Sequence, residues 1–307
     1  MSDALRALAG GIWSTLRAPL VLIVALVATL AAALPFGLIV GRGVQASLAN
    51  QPPIDLAAEE IDPEWWMEYR AHASGLEATF TPAIIGFAAP LDNLSALLDG
   101  ERRPPVLMIP VFLYLAIWAF LWAGIINRFW RGEASFRDFL TSSRRHFPQM
   151  LIVSVVAAML TVFLYLTVHA FLFGPVFTSL ASATASEREA FFIRVGLYVV
   201  FGSLLAIVSL IADYTRVHLV TTSQPLREAA RSALAFLRSR KIPVLSLWLL
   251  CALLFVSLLT MYGLADRRLG GWRLVIVGQG YIIGRIAIRL IVAASQVRLV
   301  GGTRLAE

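Results

Sequence analysis

The residues with the most chemistry to account for are two arginines inside an apolar run. Arg285 and Arg289 stand four positions apart in Trp272–Arg298, WRLVIVGQGYIIGRIAIRLIVAASQVR. At ~1.5 Å rise per helical residue, Arg285 lies about 16 Å from Leu274 and about 18 Å from Val297, near the midplane of a hydrocarbon core. A guanidinium at that depth costs about 3 kcal/mol on insertion scales, so a protein-lined or wet interior is expected to hold it. The i, i+4 spacing places both arginines on one helical face, and that face is expected to look into a bundle. Three readings stand. The arginines are structural, satisfied by backbone carbonyls, amides such as Gln279 and water. Or they bind an anion, either a lipid phosphate or a carried solute. Or they pair with an acid on another protein's helix.

A carboxylate joins this set from elsewhere in the chain. Asp213, in Ala212-Asp213-Tyr214-Thr215-Arg216, is the acid at the edge of an apolar span. Arg216 and Arg289 are its candidate partners. Aligned on the span ends, Asp213 matches Ser295, so Arg289 sits six residues, ~9 Å, deeper, within reach of a snorkelling side chain. The candidate ligand-binding residues are therefore Arg285, Arg289, Gln279 and Asp213.

Other chemistries find little support. Gly278-Gln279-Gly280 followed by Gly284 fails the dinucleotide fingerprint, because Ile283 occupies the third glycine position. Gly280 and Gly284 read instead as a small-xxx-small pair for close helix approach. His72, His146, His169 and His218 are scattered, and HExxH, CxxC and GxSxG are absent from the sequence. Only His169 falls inside a span, where a hydrogen-bonded interfacial position is expected. The lone Cys251 excludes an intramolecular disulfide. No metal and no cofactor is expected, and the chain is not expected to be an enzyme.

The elements that must carry these residues follow from composition. Hydrophobic residues make up 59% of the chain and charged residues 15%, with a mean hydropathy of +0.77. That excludes an ordinary soluble domain. Six spans emerge, at about Pro19–Val40, Val106–Ile126, Met150–Phe177, Val195–Ala212, Val244–Ala265 and Leu274–Val297. Helices of about 20 residues satisfy their own backbone in lipid, which predicts an all-α polytopic bundle forming a single integral membrane domain, residues 1–307. The net charge of +7 sits on short segments flanking the spans, which points to membrane orientation and away from nucleic acid. Residues 128–148 carry five arginines against two acids, and 213–243 carry six basic residues against two acids. Residues 42–104 carry four arginines against ten acids. Both termini are expected to be cytoplasmic and 42–104 outside. Arg267 and Arg268, in a short outside connection, run against this pattern.

A basic segment ending at or beside a proline precedes each odd span: LRALAGGIWSTLRAP, FRDFLTSSRRHFP and LREAARSALAFLRSRKIP. Each fits an amphipathic helix lying in the interface. The even spans end alike, at Asn127-Arg128, Asp213–Arg216 and Ser295–Arg298. The unit of interfacial helix, span, outside loop and span is thus used three times. Within 42–104, Gln51-Pro52-Pro53 and an acidic stretch lead to Glu64-Trp65-Trp66-Met67-Glu68-Tyr69, whose aromatics suit the headgroup level. Phe80–Leu98 is apolar but broken by Pro82, Gly86, Pro90, Asp92 and Asn93, which predicts an interfacial or re-entrant helix pair.

This layout, with Ala-Asp-Tyr-Thr-Arg closing the fourth span, resembles a broad group of bacterial six-helix membrane proteins similar to the membrane domain fused to some glycerophosphodiester phosphodiesterases. The resemblance implies a membrane module and transfers no active-site residue, since the fused members keep catalysis in a separate soluble barrel. The sequence thus points to a multi-pass protein of a bacterial inner membrane that binds or moves an anionic or lipidic ligand near the sixth helix. The alternative is an accessory subunit of a membrane complex. Membrane lipids are the expected partners, together with another membrane protein on the alternative reading; nucleic acid is not one. Alkaline phosphatase fused at Ser74 is expected to be active and fused at Ser142 inactive; the reverse pattern overturns the orientation.

Overall fold

The computed structural model describes residues 2–49, 63–81, 87–101, 103–132, 135–184, 186–269 and 272–304. Gln51–Pro53, the acidic stretch after them, Pro82 and Gly86 lie outside the described residues. The described fold is all-α, and six helices are long and apolar enough to cross a membrane: Pro19–Leu48, Pro105–Arg131, Phe136–Ser182, Glu187–Thr222, Lys241–Asp266 and Trp272–Gly302. The protein is a multi-pass membrane protein. In chain order the α-helices are α1 (Ser2–Leu16), α2 (Pro19–Leu48), α3 (Pro63–His72), α4 (Ala88–Asp99), α5 (Met108–Arg131), α6 (Phe136–Leu164), α7 (Phe177–Ser182), α8 (Glu187–Thr222), α9 (Leu226–Ser239), α10 (Lys241–Asp266) and α11 (Trp272–Arg304).

The chain forms two compact units. The first comprises residues 1–22, 118–258 and 284–307, and the second 23–117 and 259–283. The first unit holds the three basic segments, each docked on the end of an even span. α1 meets α11, where a Cβ on Gly11 would collide with Ser295 Oγ and come within 2.9 Å of the Ser295 backbone nitrogen. The start of α6 meets α5: Ser142 Oγ donates to the Ala123 carbonyl at 3.2 Å, and a Cβ on Gly124 would lie 2.6 Å from Ser143 Oγ. α9 meets α8 through Phe236, whose ring lies 5.2 Å from Tyr214 and 5.8 Å from His218. Ala229 and Ala233 are fully buried on that face. Each basic helix therefore rests on the span that ends the preceding repeat, and α1 on the last one, which closes the series on itself. Small side chains at the contacts let the backbones approach. Ala4, Ala119, Ala123, Met150, Tyr214, Val217, Leu247 and Val297 fill the core these helices enclose.

Local chemistry sets the breaks. Ser135 and Asp138 form a reciprocal capping box that starts α6. Ser223, at φ 53°, ends α8 in the left-handed region, and Pro225 then starts α9. The first and third basic helices are separated from their spans. The second is not: α6 passes through Pro148 without interruption, so helix runs on from the basic segment into the apolar span. Further on, π turns occupy Tyr165–His169 and Leu172–Val176. They bring His169 against Phe173 at 4.4 Å and Phe201 at 5.0 Å between ring centroids. His169 is thus buried in an aromatic cluster formed with Phe173 and Phe201.

In the second unit, Trp65, Tyr69 and Phe80 form a small core against Val40 and Val44 of α2. Trp65 Nε1 donates to Ser47 Oγ at 3.1 Å, and Tyr69 Oη donates to the Glu77 carbonyl at 3.0 Å. Burial, and then the Glu77 carboxylate, push the Tyr69 hydroxyl above its ordinary pKa. Trp65 and Tyr69, read from sequence as suited to the headgroup level, form the inside of this small core, with Trp66 half-buried beside them. α4, at 12 residues, measures about 18 Å and is too short to cross a bilayer. It is pinned at its start by the Phe87 amide, which donates to Asp266 Oδ1 at 3.3 Å, and by the Phe87 ring, 5.6 Å from that of Tyr262. Asp92 pairs with Arg103 at 2.8 Å.

The docking contacts separate two adjacent glycines. A Cβ on Gly10 would meet only the Arg298 side chain, which can swing away, whereas Gly11 faces backbone. Gly10→Ala is expected to be neutral or stabilising by up to about 1 kcal/mol. Gly11→Ala is expected to destabilise by about 1–3 kcal/mol. Thermal unfolding in detergent compares them.

Candidate functional site

Within the first unit, four helices assemble a ladder of guanidinium and indole groups. Its rails come from α5, where Trp118 and Trp122 stand at i, i+4 on one face. Their ring centroids are 5.8 Å apart, and Trp118 is buried. α11 lays the Arg289 guanidinium 4.3 Å from the Trp118 ring centroid. α8 brings Arg216 to 5.7 Å from the Trp122 ring. Arg216 Nη1 donates to Asp213 Oδ1 at 2.7 Å, and its Nη2 donates to Ser154 Oγ on α6 at 3.2 Å. The walls around the lower end are Trp122, Ile126, Asp213, Arg216, Val217, Ala293 and Gln296.

Each contact has a physical reason. An indole face carries negative potential, so it holds a cation at a depth where water is scarce. A guanidinium can stack by its face and still present N–H donors at its edge, which an ammonium cannot do. The Asp213–Arg216 pair is mostly buried, with side chains 21% and 12% exposed. There the charge-assisted bond matters more than on an open surface, and the loss of one partner leaves a costly charge. Arg216 Nε is buried and makes no hydrogen bond to the protein. The ladder holds two guanidiniums and one carboxylate, so it carries excess positive charge.

The four sequence candidates fare differently. Asp213 pairs with Arg216 and not with Arg289, because a neighbour three residues along the same helix is already in reach. Arg289 is half-buried and joins the ladder. Arg285 does not face the interior as expected: it is exposed. Buried Ile286 and Leu290 mark the packed face of this part of α11, and Gly284 meets Leu258 closely. The rotation set by that packing turns Arg285 outward. Gln279 is exposed and belongs to the second unit. Of the glycine pair, Gly284 serves close packing, while a Cβ on Gly280 would meet nothing within 4 Å.

No family model, no curated protein and no solved structure matches this chain. The site therefore rests on its own geometry. Sequence reasoning missed Trp118 and Trp122, although two tryptophans at helical spacing, about three and two turns before Arg128 at the basic end of a span, were a usable signal. It also missed Ser154 and Gln296, for which the sequence offers none. Among the described residues no group of three or more His, Cys, Asp or Glu side chains could hold a metal ion.

A double-mutant cycle tests the lower rung. Asp213→Asn and Arg216→Gln are each expected to destabilise the protein, with a coupling between them of about 1–2 kcal/mol. Chemical unfolding in mild detergent measures it, and zero coupling would mean that the pair is not formed.

Proposed function

We propose that the protein is a non-enzymatic module of a bacterial inner membrane, with both termini cytoplasmic, that binds or moves an anionic, lipidic ligand near its sixth span. The observation that carries this reading is Arg289, half-buried and stacked on Trp118 at the head of a ladder with excess positive charge. Stacking occupies the face of the guanidinium, whereas a phosphate is recognised along its edge. Arg289 lies nine residues, about 13 Å along the helix, from Arg298 at the basic end of the span. A lipid suits that depth better than a soluble anion, because its chains remain in hydrocarbon while its headgroup meets the cation. The layout resemblance to membrane domains fused to phosphodiesterases supports a module of this kind.

The alternative, an accessory subunit, is favoured by one observation. Arg285 is exposed on a span at mid-membrane depth, where an acidic residue on a partner helix would complement it. Native mass spectrometry after gentle extraction separates the two. Bound phospholipid is expected on the wild type, lost in Arg289→Leu and partly kept in Arg289→Lys. A stable Arg289→Leu protein with wild-type phosphorus content ends the lipid reading. A co-purifying membrane protein that is lost in Arg285→Leu supports the alternative.

A further inference from the structure

The three basic segments account for the entire net charge of the chain. Residues 1–18, 136–148 and 226–241 together contain ten basic residues and three acids, while the remaining residues contain sixteen of each. The net +7 is thus a property of three short segments, α1, the start of α6 and α9 with the residues that join α1 and α9 to the spans after them, and not of the protein at large. Those helices all stand in the first unit, and an even number of spans separates any two of them, so they share one end of the bundle whichever way it is inserted.

The three acids do little to offset this charge outwardly. Asp3, Asp138 and Glu228 stand in the first turns of α1, α6 and α9, where a carboxylate complements the helix dipole. Asp3 is held by Arg6 at 2.6 Å and Arg240 at 3.5 Å. Asp138 is occupied by the Ser135 cap. Asp138 and Glu228 are themselves exposed, but the arginines outnumber them: Arg6, Arg17, Arg137, Arg144, Arg145, Arg227, Arg231 and Arg238 are all exposed. Large apolar side chains are exposed among them, Leu5 before Arg6 and Phe136 before Arg137 at matching repeat positions. Trp13 is also exposed, with the Arg17 guanidinium 4.3 Å from its ring.

We infer that α1, the start of α6 and α9 form a collar that binds anionic phospholipid headgroups of the leaflet on which it lies. Charge alone would serve an RNA or an acidic protein equally well. Exposed leucine, phenylalanine and tryptophan interleaved with arginine fit an interface of headgroups and acyl chains, into which the apolar side chains insert while the guanidiniums meet phosphate. The repeat makes the collar threefold. In each helix an apolar residue precedes an arginine in the first two turns (Leu5-Arg6, Phe136-Arg137, Leu226-Arg227), the residue three positions after the apolar one is buried (Leu8, Phe139, Ala229), and the helix docks on an even span through small residues. Three basic faces follow, distinct from the ladder at Arg289; those of α1 and α6 add exposed apolar side chains, whereas Leu226 of α9 packs against the core and leaves that face to its arginines.

The test uses full-length protein in phosphatidylcholine vesicles with spin-labelled phosphatidylglycerol or spin-labelled phosphatidylcholine as probes. Phosphatidylglycerol is expected to associate at least about threefold more strongly at low salt, and the preference is expected to fall toward one at 1 M salt, where the screening length is ~3 Å. Replacing the exposed arginines of one helix by glutamine, as in Arg137→Gln/Arg144→Gln/Arg145→Gln, is expected to remove about a third of the preference. The corresponding set in α9 should remove a similar share, and lysine at the same positions should restore it. Size-exclusion chromatography and circular dichroism verify that each variant is folded. Equal association of the two lipids with the wild type overturns the inference, as does a preference that the glutamine sets leave unchanged. A preference lost in Arg289→Leu but kept in the collar variants belongs to the ladder and also overturns it. Retention of the preference in Arg289→Leu supports the collar even if the reading of Arg289 as a ligand site fails. Salt-sensitive capture of RNA without any lipid preference would assign the charge to the other partner.

Discussion

Helices in a bilayer gain nothing from hiding apolar side chains from lipid, so close backbone approach has to hold the bundle together. In this protein the approach occurs at the ends of the even spans. Gly11 against Ser295 and Ile291, Gly124 against Ser143 and Phe139, and the alanine face of α9 are its expressions. Everything else in the first unit follows from these contacts. They fix the rotation of α5, α8 and α11, and with it the direction in which Trp118, Arg216 and Arg289 project. They also orient the basic helices, whose buried faces are set by the contact and whose outward faces are therefore basic. A Cβ added at Gly11 or Gly124 would therefore press on the neighbouring helix and disturb the packing that both the ladder and the collar rest on.

Electrostatics divides along the same lines. The ladder is a small, partly buried set with one net positive charge, in which each guanidinium has an aromatic face, a carboxylate or a hydroxyl to meet. The collar is wet and unbalanced, and its counter-charge has to come from outside the chain. The two use arginine for different properties: the first for planarity and stacking, the second for permanent charge on a long apolar stem. Lysine would serve the second role adequately and the first poorly.

The spans, their number and the helical class were legible in the sequence, because composition and length alone decide them in a membrane. The sequence left Arg216 and Arg289 open as partners of Asp213, and the pair formed is the one at helical spacing, with Arg216. The direction of Arg285 was not legible. Its face is determined by which residues of α11 pack, and the choice of Ile286 and Leu290 over Arg285 depends on Leu258 and other side chains from distant segments. Nor was the core around Trp65 legible, because its closing contacts come from Phe80 and from Val40 and Val44 of α2. The run of α6 through Pro148 was hidden because a proline after a basic segment ordinarily marks a break. Here the helix continues through it without the backbone bond that Pro148 cannot donate.

The π turns of the third span have a consequence for length. Each π turn holds one more residue than an α turn, so the helix beyond it is rotated relative to an unbroken α-helix of the same sequence. An apolar pattern counted forward from Pro148 therefore loses phase after Tyr165, although nothing in the residues announces it. The two turns also act as slack. Loss of one residue between Tyr165 and His169 would tighten that turn to an ordinary α turn and leave Phe177 onward in register with α8. The same loss in α8, which runs without such turns from Glu187 to Thr222, would turn Asp213 and Arg216 away from the ladder. Insertions and deletions are thus unequally tolerated along this hairpin, and its first strand of helix is the one built to absorb them.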